Sequence, residues 1–168
     1  MKESIQAWGF SAKRKPVVIH PGSGGRSKIW PLRKWYSLCQ WLCADFSYPV
    51  FAVLGPADEH LKPFADKVRK LAVTVVEDFP LERLAALLAE SALYIGNDSG
   101  VSHLAAVMGT PTIVIFGPTR AETWAPRGAQ VAVVKSRWSN AENLILPSDS
   151  AIQEIEAPLK TLARQVLR

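Results

Sequence analysis

Ala92-Leu93-Tyr94-Ile95-Gly96-Asn97-Asp98-Ser99-Gly100-Val101-Ser102-His103-Leu104-Ala105-Ala106 is the stretch from which the rest of the chain can be read. Its apolar start, 92–95, predicts a buried strand. Val101, Leu104, Ala105 and Met108 recur at helical spacing, so a helix follows. A tight polar turn joins the two. Asp98 or Ser99 can cap the helix by accepting a first-turn N–H. Gly100, without a Cβ, lets a ligand approach the backbone. The other first-turn N–H groups have no partner inside the helix, and the dipole makes that end positive. A phosphate fits there. From this stretch alone, an ordinary capped turn and an anion site are equal readings. Gly109 predicts a left-handed stop to the helix.

The same alternation extends in both directions. Pro16 to His20, Pro49 to Leu54, Val73 to Val76, Pro111 to Phe116 and Val131 to Val134 are apolar, β-branched runs that predict five more strands. Leu32, Trp35, Tyr36, Cys39, Leu42, Cys43 and Phe46 mark a helix, with Pro31 at its N1 position. Residues 59–71 read as a helix whose start Pro63 confines or kinks. Leu81, Leu84, Ala85, Leu87 and Leu88 mark a third. A last helical pattern runs from Ser150 to Arg168, interrupted by Pro158. Strands alternating with helices predict an α/β, Rossmann-like, doubly wound and mostly parallel sheet of six strands. Near-continuous apolar strands agree, because both of their faces are buried. Residues 1–15 are polar and basic and read as a linker or N-terminal extension, with Trp8 and Phe10 as anchors.

At 168 residues the chain suits one domain with a real core. An apolar fraction of 48% and a charged fraction of 21% exclude disorder. No apolar run approaches the roughly 20 residues of a membrane span, and the first residues lack the apolar core of a secretory signal. Cys39 and Cys43 share a helix face and read as packed thiols in a reducing cytoplasm; no second Cys/His pair completes a zinc set. A net charge of +5 suits an anionic ligand or surface without naming one.

In a doubly wound sheet, ligands bind beyond the carboxyl ends of the strands. The polar turns 20–29, 55–59, 96–103 and 117–124 all fall at such ends. In the first, Gly22 and Gly24 start a dinucleotide fingerprint but Ser27 stands at its third glycine, and Lys28 follows Ser27 rather than the glycine of a P-loop. What remains is a loop of free N–H groups, hydroxyls and cations that suits a diphosphate, with Lys28 as its charge. Asp58 and Glu59 stand where ribose hydroxyls are commonly held. Asp98, Ser99 and His103 do not form a hydrolase triad, because no G-x-S-x-G elbow is present.

His20-Pro21-Gly22-Ser23-Gly24 with Lys28-Ile29-Trp30-Pro31 resembles the loop opening the C-terminal domain of glycosyltransferase family 9, the bacterial heptosyltransferases. Asp98-Ser99-Gly100-Val101-Ser102-His103-Leu104-Ala105-Ala106 is similar to that family's D-[ST]-G-x-x-H-x-A-A signature. Gly109-Thr110-Pro111-Thr112, Phe116-Gly117-Pro118-Thr119 and Trp124-Ala125-Pro126-Arg127-Gly128 continue it in order. The resemblance implies the C-terminal half of a GT-B fold, with residues 16–168 as the donor-binding domain. It implies an inverting, metal-independent transfer of heptose from ADP-heptose to the lipopolysaccharide inner core, in the cytoplasm, with peripheral association at the inner membrane. The partners implied are a nucleotide-sugar donor and the lipopolysaccharide acceptor, with no nucleic acid and no cofactor beyond the ADP-sugar substrate. On matching positions, Lys28 neutralises the diphosphate and Ser23 and Gly24 line it. Glu59 holds the ribose. Asp98 positions the sugar or the turn, Ser99 and Gly100 offer N–H groups, and His103 supports that turn or reaches the donor. The family's catalytic base lies on an acceptor domain with no counterpart here, so this chain is expected to bind donor and to transfer little alone. The rival expectations are a non-catalytic nucleotide-binding module and a transferase using another nucleotide sugar.

Overall fold

The computed structural model describes residues 14–135 and 149–167. The predicted linker, apart from Arg14 and Lys15, lies outside the described residues. Strands β1 (Val17–His20), β2 (Val50–Leu54), β3 (Thr74–Glu77), β4 (Leu93–Asn97), β5 (Thr112–Phe116) and β6 (Val131–Lys135) form one sheet in the order β3-β2-β1-β4-β5-β6. Every pairing is parallel; Ile19 lies opposite Ala52 on one side and Ile95 on the other. Helices α1 (Leu32–Asp45), α2 (Lys62–Arg69), α3 (Leu81–Ala89), α4 (Gly100–Val107), α5 (Ala121–Trp124) and α6 (Asp149–Val166) supply the crossovers and flanks.

Adjacent strand residues point to opposite faces, and the core divides accordingly. Val17 and Ile19 pack with Trp35, Leu38 and Leu42 of α1 and Ile155 and Leu159 of α6. Val18 packs with Leu84, Leu87 and Leu88 of α3 and Ala105 of α4. Both faces are therefore covered, which explains the unbroken apolar runs.

Three local expectations shift. Pro31 is the N-cap of α1 rather than its first helical residue; its ψ of 129° is extended. Residues 56–61 form a 3-10 turn before α2 begins at Lys62, so Pro63 sits in the first helical turn, where its missing N–H costs nothing. Pro158 does not interrupt α6. It lies on the exposed side, while Ile155, Leu159 and Ala163 anchor the opposite side in the core. Gly109 ends α4 with φ of 75°, the left-handed stop expected of it.

Candidate functional site

After β1 the chain runs outward to β2 and β3, then crosses back to β4 and continues the other way. In such a sheet the ligand crevice lies beyond the carboxyl ends of β1 and β4, where the direction reverses. Asn97, the last residue of β4, ties its walls together. Its Oδ1 accepts the Trp30 N–H at 3.1 Å. Its Nδ2 donates to the Pro21 carbonyl at 2.7 Å and the Gly22 carbonyl at 3.3 Å. Trp30 is itself buried edge-on against Trp35, with ring centroids 5.5 Å apart. The loop between β1 and α1 is thus pinned at both ends.

That loop delivers Lys28 from a short 3-10 turn, 26–28. Lys28 Nζ lies 2.9 Å from Asp98 Oδ2, with the lysine side chain one-third exposed and the carboxylate 8% exposed. Thr119, after β5, donates to the same carboxylate at 2.8 Å. Ser23 donates its hydroxyl proton to the Asp98 carbonyl at 2.8 Å. Ser23 is therefore a brace between loop and turn, and only its lone pairs are left for a ligand.

Ser99 is the N-cap residue of α4, but its side chain caps nothing. This corrects the expectation that Asp98 or Ser99 would accept a first-turn N–H. The Asp98 carboxylate is taken by Lys28 and Thr119, and Ser99 Oγ is turned to His20 Nδ1 at 3.2 Å. His20 Nε2 meets Asp58 Oδ2 at 3.2 Å, and the Gly55 N–H donates to that oxygen at 2.9 Å. Burial works to raise the Asp58 carboxyl. The His20 hydrogen bond, the Gly55 N–H and the charges of His20 and His60 outweigh it and hold the group below its ordinary value. Gly22 makes room for this carboxylate: a Cβ there would stand 2.1 Å from Asp58 Oδ1. Beneath Ser99, Ser102 donates to the Asn97 carbonyl at 2.6 Å, so the Tyr94 hydroxyl, 3.0 Å away, donates to Ser102. Burial pushes the Tyr94 phenol up. Gly96 is required beside it, since a Cβ would meet the Tyr94 oxygen at 2.1 Å.

Of the residues singled out from sequence, Ser23, Lys28, Asp98 and Ser99 converge, with Gly24 and Gly100 exposed and open at the rim. Glu59 stands apart. It is exposed, pairs with Lys62 at 3.1 Å, and lines a cleft of about 220 Å3 with Leu54, Gly55, Pro56 and Asp78 at the ends of β2 and β3. His103 is exposed one turn into α4 and hydrogen-bonds to no other described residue. His20, Asn97, Ser102 and Thr119 belong to the site but carried no role in the sequence reading. Among the described residues no three His, Cys, Asp or Glu gather as a metal set, and no helix is long and apolar enough to cross a membrane.

The crevice offers a cation on a short tether, an uncapped helix N-terminus and hydroxyls held by buried partners. Such a set binds and stabilises negative charge. Ser99, His20 and Asp58 are connected in the order of a hydrolase triad, but Ser99 is the N-cap residue of α4 with no G-x-S-x-G elbow to present it.

A family model described as glycosyltransferase family 9 (heptosyltransferase) matches residues 1–148. Lipopolysaccharide heptosyltransferase 1 of Campylobacter coli is 34% identical over 117 residues, covering 66% of this chain and 34% of that protein. The solved structure of Escherichia coli heptosyltransferase WaaC with ADP has a TM-score of 0.73 at 20% identity, covering 91% of this chain and 46% of that one. A family 9 glycosyltransferase from Veillonella parvula has a TM-score of 0.77 at 20% identity, covering 95% of this chain and 49% of that one. The chain spans about a third of its curated relative and under half of the solved chains. It belongs to glycosyltransferase family 9, the heptosyltransferases.

Proposed function

We propose that residues 16–168 hold the nucleotide-sugar donor of a lipopolysaccharide heptosyltransferase, with ADP-heptose as that donor. The observation that carries this is Lys28, fixed on Asp98 beside the uncapped start of α4, at the point where strand order reverses. When the glycosidic bond breaks, negative charge builds on the departing diphosphate. Lys28 and the Ser99 and Gly100 N–H groups stabilise that charge without a metal. Asp98 keeps Lys28 at the crevice and lies where the sugar would follow. The cleft beside Glu59 takes the ribose. A structure of a family relative is described with ADP, which supports the choice of base. In this reading the base that deprotonates the acceptor hydroxyl belongs to an acceptor-binding domain, and residues 1–168 alone bind donor without transferring it. The acceptor is the lipopolysaccharide core, met at the cytoplasmic face of the inner membrane.

Calorimetric titration with ADP, ADP-heptose, UDP and NAD tests the proposal. ADP and ADP-heptose should bind, and Lys28→Ala should weaken both about tenfold or more, as expected for a charge-assisted contact. UDP selectivity would show a different nucleotide sugar. No nucleotide binding at all would leave a non-catalytic module.

A further inference from the structure

We propose that Asp58 and His20 position the Ser99 hydroxyl as a hydrogen-bond donor to the bound diphosphate, with His20 taking a proton from solvent as the anion arrives. The inference rests on the donor reading above.

Three segments far apart in sequence meet in this chain of contacts. The Asp58 carboxylate, 4% exposed, accepts the Gly55 N–H at 2.9 Å and faces His20 Nε2 at 3.2 Å. An ionised carboxylate only accepts, so Nε2 carries a proton in either charge state of the ring. The variable atom is Nδ1, 3.2 Å from Ser99 Oγ. If the ring is neutral, the Nδ1 lone pair accepts a hydrogen bond from the Ser99 hydroxyl. Ser99 then shows the crevice only lone pairs, which repel phosphate. If the ring is protonated, Nδ1–H donates to Ser99 Oγ and the Ser99 O–H is free to turn toward the crevice. Two neutral acceptors also lie in reach of the Ser99 hydroxyl: Ser102 Oγ, 3.5 Å away and already accepting from Tyr94, and the Tyr94 oxygen itself. An anionic phosphate oxygen is the stronger acceptor. Bound diphosphate therefore selects the protonated ring.

By linkage, the anion and the proton favour each other's binding. The sign follows. Binding raises the midpoint of the ring, so affinity is highest at low pH and falls as pH rises through the titration, up to tenfold per unit. The titratable and charged groups around this chain of contacts are Asp58, on His20 itself; His60, whose charge acts on Asp58; Tyr94, hydrogen-bonded to Ser102 and Ser99; and the Lys28–Asp98 pair, whose Asp98 is next to Ser99 in sequence. Asp58 is held down and Tyr94 is pushed up, so neither changes charge near neutrality. His103 is further along α4.

The probe is ADP-glucose, whose phosphates are both esterified and keep their charge across the range. Long-range 1H–15N spectra follow the ring nitrogens of His20 separately from those of His60 and His103. On saturation, His20 Nδ1 should move toward the protonated position and the ring should titrate at higher pH. An unchanged titration overturns the inference. His20→Gln should flatten the pH dependence of the dissociation constant; a slope that persists counts against it. Should that variant not fold, Ser99→Ala leaves the ring in place. It should weaken ADP-glucose several-fold, with Ser99→Thr restoring it, and wild-type affinity in Ser99→Ala also overturns the inference. The wild-type chain binding neither ADP nor ADP-glucose would refute the donor reading and this inference with it. Binding without a shift in His20 refutes the inference alone.

Discussion

Replacing Asn97 by aspartate changes one donor into one acceptor at the joint of the crevice. Asn97 is fully buried, at 0% exposure. In Asn97→Asp, Oδ1 still accepts the Trp30 N–H, whose present distance is 3.1 Å. The second oxygen, however, faces the Pro21 and Gly22 carbonyls, now 2.7 and 3.3 Å from the amide nitrogen, with no proton to offer. Only the protonated acid restores the bond. Burial of this kind raises a carboxyl by about three units or more, and each unit is worth about 1.4 kcal/mol. The ionised variant should thus lose about 4 kcal/mol, a large share of the roughly 5–15 kcal/mol that holds a domain together. The folded-state value lies above the unfolded value of about 3.9. The variant should therefore approach wild-type stability below about pH 4 and lose it progressively toward about pH 7. Urea midpoints, with slopes checked for constancy, measure this across the window. Nucleotide affinity should fall along the same curve, since the loop that Asn97 pins carries Lys28. A variant whose midpoint runs parallel to wild type over this range, or is lowest in acid, would refute the reasoning.

Gly22→Ala drives a methyl to within 2.1 Å of Asp58 Oδ1 unless the carboxylate moves. The loss should be about 1–3 kcal/mol, as for other overpacked sites, read as a lowered thermal midpoint; unchanged stability would mean that Asp58 does not rest against residue 22. Glu59→Ala removes an exposed side chain whose lysine pair contributes little, so stability should stay within about 0.5 kcal/mol. ADP affinity should fall while pyrophosphate affinity does not. An equal loss for both, or none for ADP, would remove Glu59 from the ribose site.

Much of the fold was legible because burial on both faces writes itself into a parallel strand as an unbroken apolar run. All six strands fall where such runs stand, and the polar turns at their carboxyl ends mark the crevice side. Strand order is another matter. Pro16–His20 and Ala92–Ile95 carry no mark of being neighbours, and their pairing follows from crossovers and from packing across the whole sheet. Pro158 misled for a related reason: a proline weakens a helix by its own turn, while α6 is kept whole by contacts that Ile155, Leu159 and Ala163 make with distant strands.

The site divides along the same line. Lys28, Ser23 and the Asp98–Gly100 turn were readable because each carries a local signal, a cation in a glycine loop or a polar break between strand and helix. The choice between Asp58 and Glu59 was not, because one residue of rotation decides which carboxylate faces inward. Asp58, with φ of −99° and ψ of 17°, breaks the 3-10 turn, and this bend sends its carboxylate to His20 while Glu59 meets Lys62 in solvent. The phase of such a short, irregular turn is set by the groove it closes, here by the missing side chain of Gly22. His20 was hidden for the opposite reason. All four residues of β1 are buried, so burial alone cannot mark one of them as polar machinery. Its partners lie 38 and 79 residues away. Read with the fold in hand, a histidine closing an apolar central strand is a buried polar group that must find partners. The partners it finds are Asp58, which fixes the ring, and Ser99, which stands at the start of α4.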